Sequence, residues 1–411
     1  MDIDDWDFLR DLEELKSAFE SGGVEECTHY LESKRDAWTD LPLDVAVIGN
    51  SGVGKSSFIN TIRGLKDADE EGATDVDVKE TTSDIQSYLH PNNPLLKFWD
   101  LPGVGTDRFP RQTYLDDIDV DRYDFFLLIT ADRFTENDTW LGNEFRKRNR
   151  KYFFVRTKIG QDVSNNKRAH PRTHNEEAVM KKIRESTEEH LKENGCSGVP
   201  VFLIDSYEPW KFEFDQLKHH LIEEFPKLKK TALILSLQAT SEKMIKLKVA
   251  ELRSRIWKVA ALSGAVAAVP LPGVSLAVDI CLVAREAKLY YEQLGLDEVS
   301  LERYAILTST NYLQLRAIVD SGLGFKVVGM EGFKQLVEIL SKRAAPLMTS
   351  AAVEEGSRFI PLIGSFIAAP LSFGGTYYAL TLVLNKMERV ALEVIQFATE
   401  SAAAMAQSAD D

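Results

Sequence analysis

A lysine and a serine follow a glycine-rich turn early in the chain. The stretch Gly49-Asn-Ser-Gly-Val-Gly54-Lys55-Ser56 matches the pattern G-x-x-x-x-G-K-[ST]. Its glycines allow backbone N–H groups to curl around a phosphate chain, and a following helix directs its positive dipole end toward that chain. The Lys55 ammonium can reach the β- and γ-phosphates, and the Ser56 hydroxyl can bind Mg²⁺. The spacing predicts a phosphate-binding loop, here called the P-loop, made of Gly49, Asn50, Ser51, Gly52, Val53, Gly54, Lys55, Ser56 and Ser57.

A second motif, Asp100-Leu-Pro-Gly103, follows a predicted strand. In P-loop proteins that bind nucleotides, an aspartate at this place holds Mg²⁺, commonly through water, and the Gly103 amide can sense a γ-phosphate. A threonine between the two motifs commonly completes the Mg²⁺ shell. Thr74, Thr81 and Thr82 are the candidates, and we favour Thr81 or Thr82.

The elements around these motifs are strands alternating with helices. Nearly continuous apolar runs predict strands buried on both faces of a parallel sheet, at 41–49, 95–100, 123–130, 151–157 and 199–205. Helical patterns lie between them, for example from Glu176 to Asn194. Residues 41–225 are therefore predicted to form a doubly wound α/β domain.

Both flanks of this domain show helical patterns instead. Residues 1–40 carry apolar side chains at helical spacing, and residues 226–411 contain almost no strand signal. Two stretches, Val259–Val278 and Phe359–Asn385, lack charge and are long enough to span a bilayer. Proline and glycine interrupt both, which favours helical hairpins buried in a bundle over membrane spans; a hairpin that opens into a membrane is a third reading. The predicted breaks are Pro270, Pro272, Gly273, Pro361, Pro370, Gly374 and Gly375.

Composition restricts the partners. The 411 residues carry a net charge of −15, which argues against nucleic acid as the main partner because phosphate-backbone binding needs clustered Lys and Arg. The three cysteines match no zinc or disulfide spacing, so a reducing compartment is expected.

The three motifs, in this order, are typical of a GTPase G domain rather than an ATPase. Longer stretches resemble the immunity-related, interferon-inducible GTPases over essentially the full chain. They are FWDLPGVG (98–105), YDFFLLIT (123–130), YFFVRTK (152–158), KENG (192–195), RIW (255–257) and LGLDEVSL (294–301). Lys55 places the chain with the members whose P-loop carries lysine.

The resemblance implies a Ras-like G domain inserted into an all-helical domain that both termini build. It implies binding of GTP, GDP and Mg²⁺, slow hydrolysis, and GTP-dependent self-assembly through the G domain that accelerates hydrolysis. It also implies a cytoplasmic protein, peripherally attached to intracellular membranes, that acts in cell-autonomous innate immune defence. A glutamate of the first switch is implicated in catalysis, and Glu80 is the matching residue here, with Asp77 and Glu71 as rivals; Lys55 is the other catalytic candidate.

Two departures bear on activity. GTPases read guanine with N/T-K-x-D, but this chain has Thr157-Lys158-Ile159-Gly160, so glycine stands where the aspartate should be. We expect Asp162 to substitute in part, and Asp205 and Ser206 to form the next loop that contacts the base. No Gln or His follows Gly103 closely to orient water, so the monomer should hydrolyse GTP slowly.

Two functions from different classes stay open. One is an assembling GTPase that acts on intracellular membranes. The other is a nucleotide-binding regulator or scaffold with little or no turnover and relaxed base specificity, which Gly160 and the missing glutamine both favour. An ATPase of the same fold is a third reading.

Overall fold

A six-stranded sheet organises the part of the chain that carries the motifs. The structure is a computed structural model that describes residues 41–65, 72–74, 85–106, 108–267, 274–324 and 369–408, with three single residues near the N-terminus. The strands are β1 (Leu43–Ile48), β2 (Gln86–His90), β3 (Asn93–Leu101), β4 (Phe125–Thr130), β5 (Tyr152–Arg156) and β6 (Val201–Leu203). Their order across the sheet is β2-β3-β1-β4-β5-β6, and only β2 and β3 run antiparallel.

The apolar runs of the sequence form the interior strands. All six residues of β4 are buried, as befits a strand covered by helices on both faces. Sequence reasoning missed β2, whose burial pattern is mostly exposed. It is an edge strand that pairs with β3 alone, so its sequence carries no buried run to indicate it.

Seven α-helices accompany the sheet within the described residues. They are α1 (Lys55–Ile62), α2 (Tyr114–Asp117), α3 (Glu136–Lys147), α4 (Ile159–Ala169), α5 (Glu176–Glu193), α6 (Phe214–Glu223) and α7 (Lys227–Ser236). A capping box between Thr135 and Asp138 starts α3, and the Asn175 side chain caps α5. This is the predicted doubly wound fold, in which the carboxyl ends of the parallel strands meet along one edge.

Aromatic side chains fill one face of the sheet. Phe126 of β4 stacks on Phe145 of α3 with ring centroids 4.1 Å apart, and Phe134 meets Phe154 of β5 at 4.7 Å. These rings are buried in one continuous apolar cluster. Their packing fixes β4 and β5, whose carboxyl ends border the P-loop.

The sheet and its helices form one compact unit that spans Thr39–Ser241. The unit therefore reaches sixteen residues beyond the predicted limit at 225 and includes α7. Apart from single positions, the predicted N-terminal segment, 1–40, lies outside the described residues.

The secondary-structure elements of the second unit are all helices within its described residues. Its helices are α8 (Glu242–Ala267), α9 (Val274–Gln293), α10 (Glu298–Leu307), α11 (Tyr312–Leu323) and α12 (Ala369–Ser408). The α12 helix packs on α8, α9 and α11. The α8 helix joins α9 through the buried pair Arg255 and Glu286, 3.5 Å apart, and joins α12 through the hydroxyls of Ser263 and Thr376, 2.9 Å apart.

One predicted break in this unit is wrong. The α12 helix runs without interruption through Gly374 and Gly375, and Pro370 stands in its first turn. Proline is tolerated there because the first-turn N–H groups have no intrahelical partner, and packing against neighbouring helices outweighs the low helix propensity of glycine. The breaks at 270–273 and at Pro361 lie outside the described residues. Within the part of the chain that the structure describes, no helix combines the length and apolar character needed to cross a bilayer.

Candidate nucleotide site

The P-loop joins β1 to α1 at the carboxyl edge of the sheet. Gly52 and Gly54 have φ angles of +77° and +92°, a left-handed conformation that glycine adopts at little cost. Gly54 is also the residue before α1, so the loop delivers the chain directly into the first turn of that helix. The N–H groups of a first helical turn have no intrahelical partner and can bind an anion.

Two other glycines allow close contacts. A Cβ on Gly49 would lie 2.3 Å from the carbonyl oxygen of Ile129, at the end of β4. A Cβ on Gly103 would lie 2.7 Å from Asn50 Oδ1 and 3.2 Å from Asn50 Cα. The P-loop is therefore packed against β4 on one side and against the Asp100–Gly103 turn on the other.

Lys55 is the first residue of α1 and turns back into the P-loop. Its Nζ donates hydrogen bonds to the carbonyl oxygens of Gly49, at 2.9 Å, and Asn50, at 3.3 Å. It also lies 3.8 Å from Asp100 Oδ1. Burial lowers the pKa of Lys55 below its ordinary value, and the nearby Asp100 carboxylate opposes this shift. The geometry holds a lysine inside the loop that would surround a phosphate chain.

Asp100 and Ser56 are the described oxygen ligands predicted for Mg²⁺. Asp100 lies in β3 and is buried, and Ser56 lies in the first turn of α1. A carboxylate and a hydroxyl are hard oxygen donors of the kind that Mg²⁺ prefers, and this ion binds proteins through few such groups, so the two residues fit it. The remaining metal predictions, Thr81 and Thr82, and the catalytic prediction Glu80 lie outside the described residues.

Thr74, the third threonine candidate, anchors its loop to α1. Its hydroxyl lies 2.9 Å from the Ser56 carbonyl oxygen and 2.9 Å from Asn60 Oδ1, and it can donate to either. The Thr74 N–H donates to Asn60 Oδ1, and Asn60 Nδ2 donates to the Thr74 carbonyl oxygen. These bonds commit the buried Thr74 side chain to protein groups.

Thr157 and Lys158, at the end of β5, both donate to P-loop carbonyl oxygens. The buried Thr157 hydroxyl lies 2.5 Å from the Val53 oxygen and 3.2 Å from the Thr130 oxygen. Lys158 Nζ donates to the Gly52 oxygen at 2.7 Å, and the Lys158 backbone has a φ of +59°. We call these two bonds to the P-loop the latch, because they join the phosphate-binding segment to the segment expected to contact the base.

The Thr157→Val substitution is expected to destabilise the first unit by about 1–2 kcal/mol. Valine keeps the shape but removes the donor to the Val53 carbonyl oxygen, which is left with an unmade bond. Urea unfolding would measure the change. Thr113→Val is the matched control, because it removes an exposed hydrogen bond to Asp117 and should cost clearly less. Equal losses in the two variants would contradict the prediction.

Asp162, the expected substitute on the base-reading side, is paired with an arginine. The Asp162 carboxylate accepts a hydrogen bond from Arg156 Nη2 at 2.6 Å, an ion pair between β5 and α4. Asp205, by contrast, lies against Gly160, and its Oδ2 accepts the Gly160 N–H at 3.0 Å. The carboxylates of Asp205 and Glu208 are close to the place where an aspartate side chain would begin.

The loop that follows β6 supplies further residues to the base-reading side of the site. Ser206 is 8% exposed, and its Oγ has no hydrogen-bond partner among the described residues. Tyr207, which is exposed, has its hydroxyl 3.3 Å from the Ser57 Oγ at the start of α1. The sequence analysis did not single out Glu208. The only indication in the sequence is that Glu208 is an acidic residue three positions after Asp205.

Comparisons with known proteins relate the chain to interferon-inducible GTPases. The sequence profile described as Interferon-inducible GTPase (IIGP) matches residues 9–348. The chain is 33% identical to Interferon-inducible GTPase 5 of Rattus norvegicus over 93% of this chain and 81% of that protein. It is 36% identical to T-cell-specific guanine nucleotide triphosphate-binding protein 2 of Mus musculus over 72% of this chain and 71% of that protein.

A likeness to solved structures is slight. The structure of NFeoB from S. thermophilus bound to GDP, AlF4⁻ and K⁺ matches 72% of this chain and 98% of its own, at 16% identity and a TM-score of 0.30. Values this low support no inference about function.

Proposed function

The chain belongs to the interferon-inducible GTPase family, and from this premise we propose that it binds GTP and GDP with Mg²⁺ and hydrolyses GTP slowly as a monomer. The observation that carries the proposal is the P-loop, with buried Lys55 directed into it and Asp100 3.8 Å from the Lys55 ammonium. Lys55 would exchange its bonds to the loop carbonyl oxygens for bonds to the β- and γ-phosphates, where charge develops during transfer.

In this proposal, Ser56 and Asp100 hold Mg²⁺, together with Thr81 or Thr82. Mg²⁺ held there would offset the negative charge of the phosphates. The backbone N–H groups of the P-loop and of Gly103 orient the phosphate chain, while Lys158 packs along the base.

The proposed slow turnover follows from the segment after Gly103. Val104 and Gly105 stand where small G proteins carry their glutamine-bearing switch, and the Val104 carbonyl oxygen accepts a hydrogen bond from Asn137 Nδ2 at 3.0 Å. Neither residue can orient a water molecule with its side chain. We therefore propose that a second G domain completes the site on assembly, with Glu80 contributing to catalysis.

We further propose that the assembled protein acts at intracellular membranes in cell-autonomous innate immune defence, as a peripherally bound cytoplasmic protein. Relatives with interferon-inducible names support the defence role. The second candidate, a regulator with negligible turnover, is favoured by Gly160, which lacks the carboxylate that GTPases use to select guanine.

Phosphate release at increasing protein concentration tests the leading proposal. If hydrolysis is assembly-stimulated, the rate per molecule should rise several-fold between low and high micromolar protein, and Lys55→Ala should abolish the rise. A flat rate near zero in protein that still binds GTP would instead support the regulator. Failure to bind any guanine nucleotide would contradict both candidates.

A further inference from the structure

The space beside Gly160 is filled by two carboxylates from the loop that follows β6. A Cβ built on Gly160 would lie 2.6 Å from Glu208 Oε2 and 2.8 Å from Asp205 Oδ2. Both distances are shorter than real Cβ contacts, so an aspartate at 160 would require the ends of these two side chains to shift. An aspartate side chain at 160 and the carboxylates of Asp205 and Glu208 would therefore occupy the same space.

The three carboxylates on the base-reading side, Asp162, Asp205 and Glu208, differ in the hydrogen bonds that they already accept. Asp162 accepts from Arg156. Asp205 uses one oxygen for the Gly160 N–H and the other for the Tyr207 N–H, at 2.9 Å, so it shapes the backbone of the loop. Glu208 has no hydrogen bond to its carboxylate within the described residues, so of the three acids it has the most acceptor capacity left.

We propose that Glu208 reads the guanine base in place of the missing aspartate, with Asp205 positioning the loop. The inference rests on the proposed function, because it assigns the base-specificity residue of the same nucleotide site. The P-loop and its latch to Thr157 and Lys158 define that site independently of these acids.

The chemistry of guanine fits this assignment. Its N1–H and N2–H groups are both donors, and a single carboxylate can accept both. Glu208 approaches from the loop after β6 rather than from β5, with a side chain one methylene longer than that of aspartate. The unpartnered Ser206 hydroxyl belongs to the same loop and offers a further polar contact to a base.

The surroundings of Glu208 shift the pKa of its carboxyl group in opposing directions. Burial raises its pKa above the ordinary value, and the nearby acids Asp205 and Glu176 add to the rise, while Lys211 opposes it. Two donors from a bound base would favour the ionised carboxylate.

Glu208→Gln is the discriminating variant. A side-chain amide has one acceptor and one donor, which matches xanthine, with its N1–H and C2 carbonyl, and mismatches guanine. Calorimetric titration with GDP and XDP in Mg²⁺ should give a ratio of Kd(GDP) to Kd(XDP) that rises by about 10- to 100-fold over wild type. Glu176→Gln makes the same chemical change at a neighbouring acid and should leave the ratio unchanged.

A rescue pair protects the test against a folding defect. Glu208→Ala should lose most of the preference for GDP over XDP and ADP. Adding Gly160→Asp to it should restore that preference, because removal of Glu208 vacates the place that the new side chain needs and only Asp205 must shift. Thermal melting verifies that each variant is folded.

Three outcomes would overturn the inference. They are an unchanged ratio in folded Glu208→Gln, a ratio that moves in Asp162→Asn or Asp205→Asn but not in Glu208→Gln, and a double variant that does not recover. Wild-type protein that binds neither GDP nor XDP would contradict the proposed function itself, and Glu208 would then have no base to read. The two failures are therefore distinguishable.

Discussion

Replacing Gly49 with alanine is expected to abolish nucleotide binding and to lower the stability of the first unit by about 3 kcal/mol. The added Cβ would stand 2.3 Å from the carbonyl oxygen of Ile129 and 3.2 Å from its carbonyl carbon. Both are backbone atoms of β4, an interior strand, so neither can turn aside as a side chain could. The P-loop itself must move, which displaces the N–H groups that would hold the phosphates.

Gly198→Ala is the matched control for this substitution. Gly198 has a φ of +80°, and a Cβ there would meet no atom within 4 Å. Its cost should be the left-handed strain alone, about 1–2 kcal/mol, with nucleotide affinity unchanged. Urea unfolding and calorimetric titration with GDP measure the two quantities. A Gly49→Ala protein that binds GDP as wild type does would show that the close approach to Ile129 is unimportant.

Replacing Lys55 with alanine is expected to weaken GTP binding by about 100-fold or more. The ammonium would make charge-assisted bonds to two phosphates, each worth about 1.5–3 kcal/mol. No other described cation is bonded in the same way to the carbonyl oxygens of both Gly49 and Asn50. Calorimetric titration with GTP in Mg²⁺ checks the loss.

Lys229→Ala controls for the change in net charge. Lys229 pairs with Asp124, the residue just before β4, at the opposite edge of the sheet from the P-loop. The control should bind GTP within a few-fold of wild type. A Lys55→Ala protein that also stays within a few-fold would mean that the P-loop N–H groups suffice, and the proposed role of Lys55 would fail.

Local patterns predicted most of the sheet and the phosphate side of the site. Buried apolar runs marked β1, β3, β4, β5 and β6, because strands covered on both faces have little tolerance for polar residues. The P-loop was equally easy to predict, since its glycines, lysine and serine lie close together in the sequence. Its contacts with Ile129 and Asp100 follow from the parallel order of the strands.

Local sequence patterns could not predict contacts between segments that are far apart in the chain. Asp162 is the expected substitute for the missing aspartate because it is two residues away, but the sequence did not indicate its ion pair with Arg156, across the turn between β5 and α4. Glu208 is 48 residues from Gly160, and only the pairing of β5 with β6 brings their loops together. The helix through Gly374 and Gly375 likewise depends on packing against other helices, which local propensity does not encode.

The latch has a consequence for the thermodynamics and kinetics of binding. Thr157 and Lys158 hold the carbonyl oxygens of Val53 and Gly52, so bonds within the protein support the curved shape of the P-loop. Fixing one backbone residue costs about 1–2 kcal/mol of conformational entropy, and here that cost falls on folding rather than on binding. Nucleotide association should therefore carry little ordering penalty at the phosphates, and its rate should be limited by diffusion and electrostatic attraction rather than by closure of the loop.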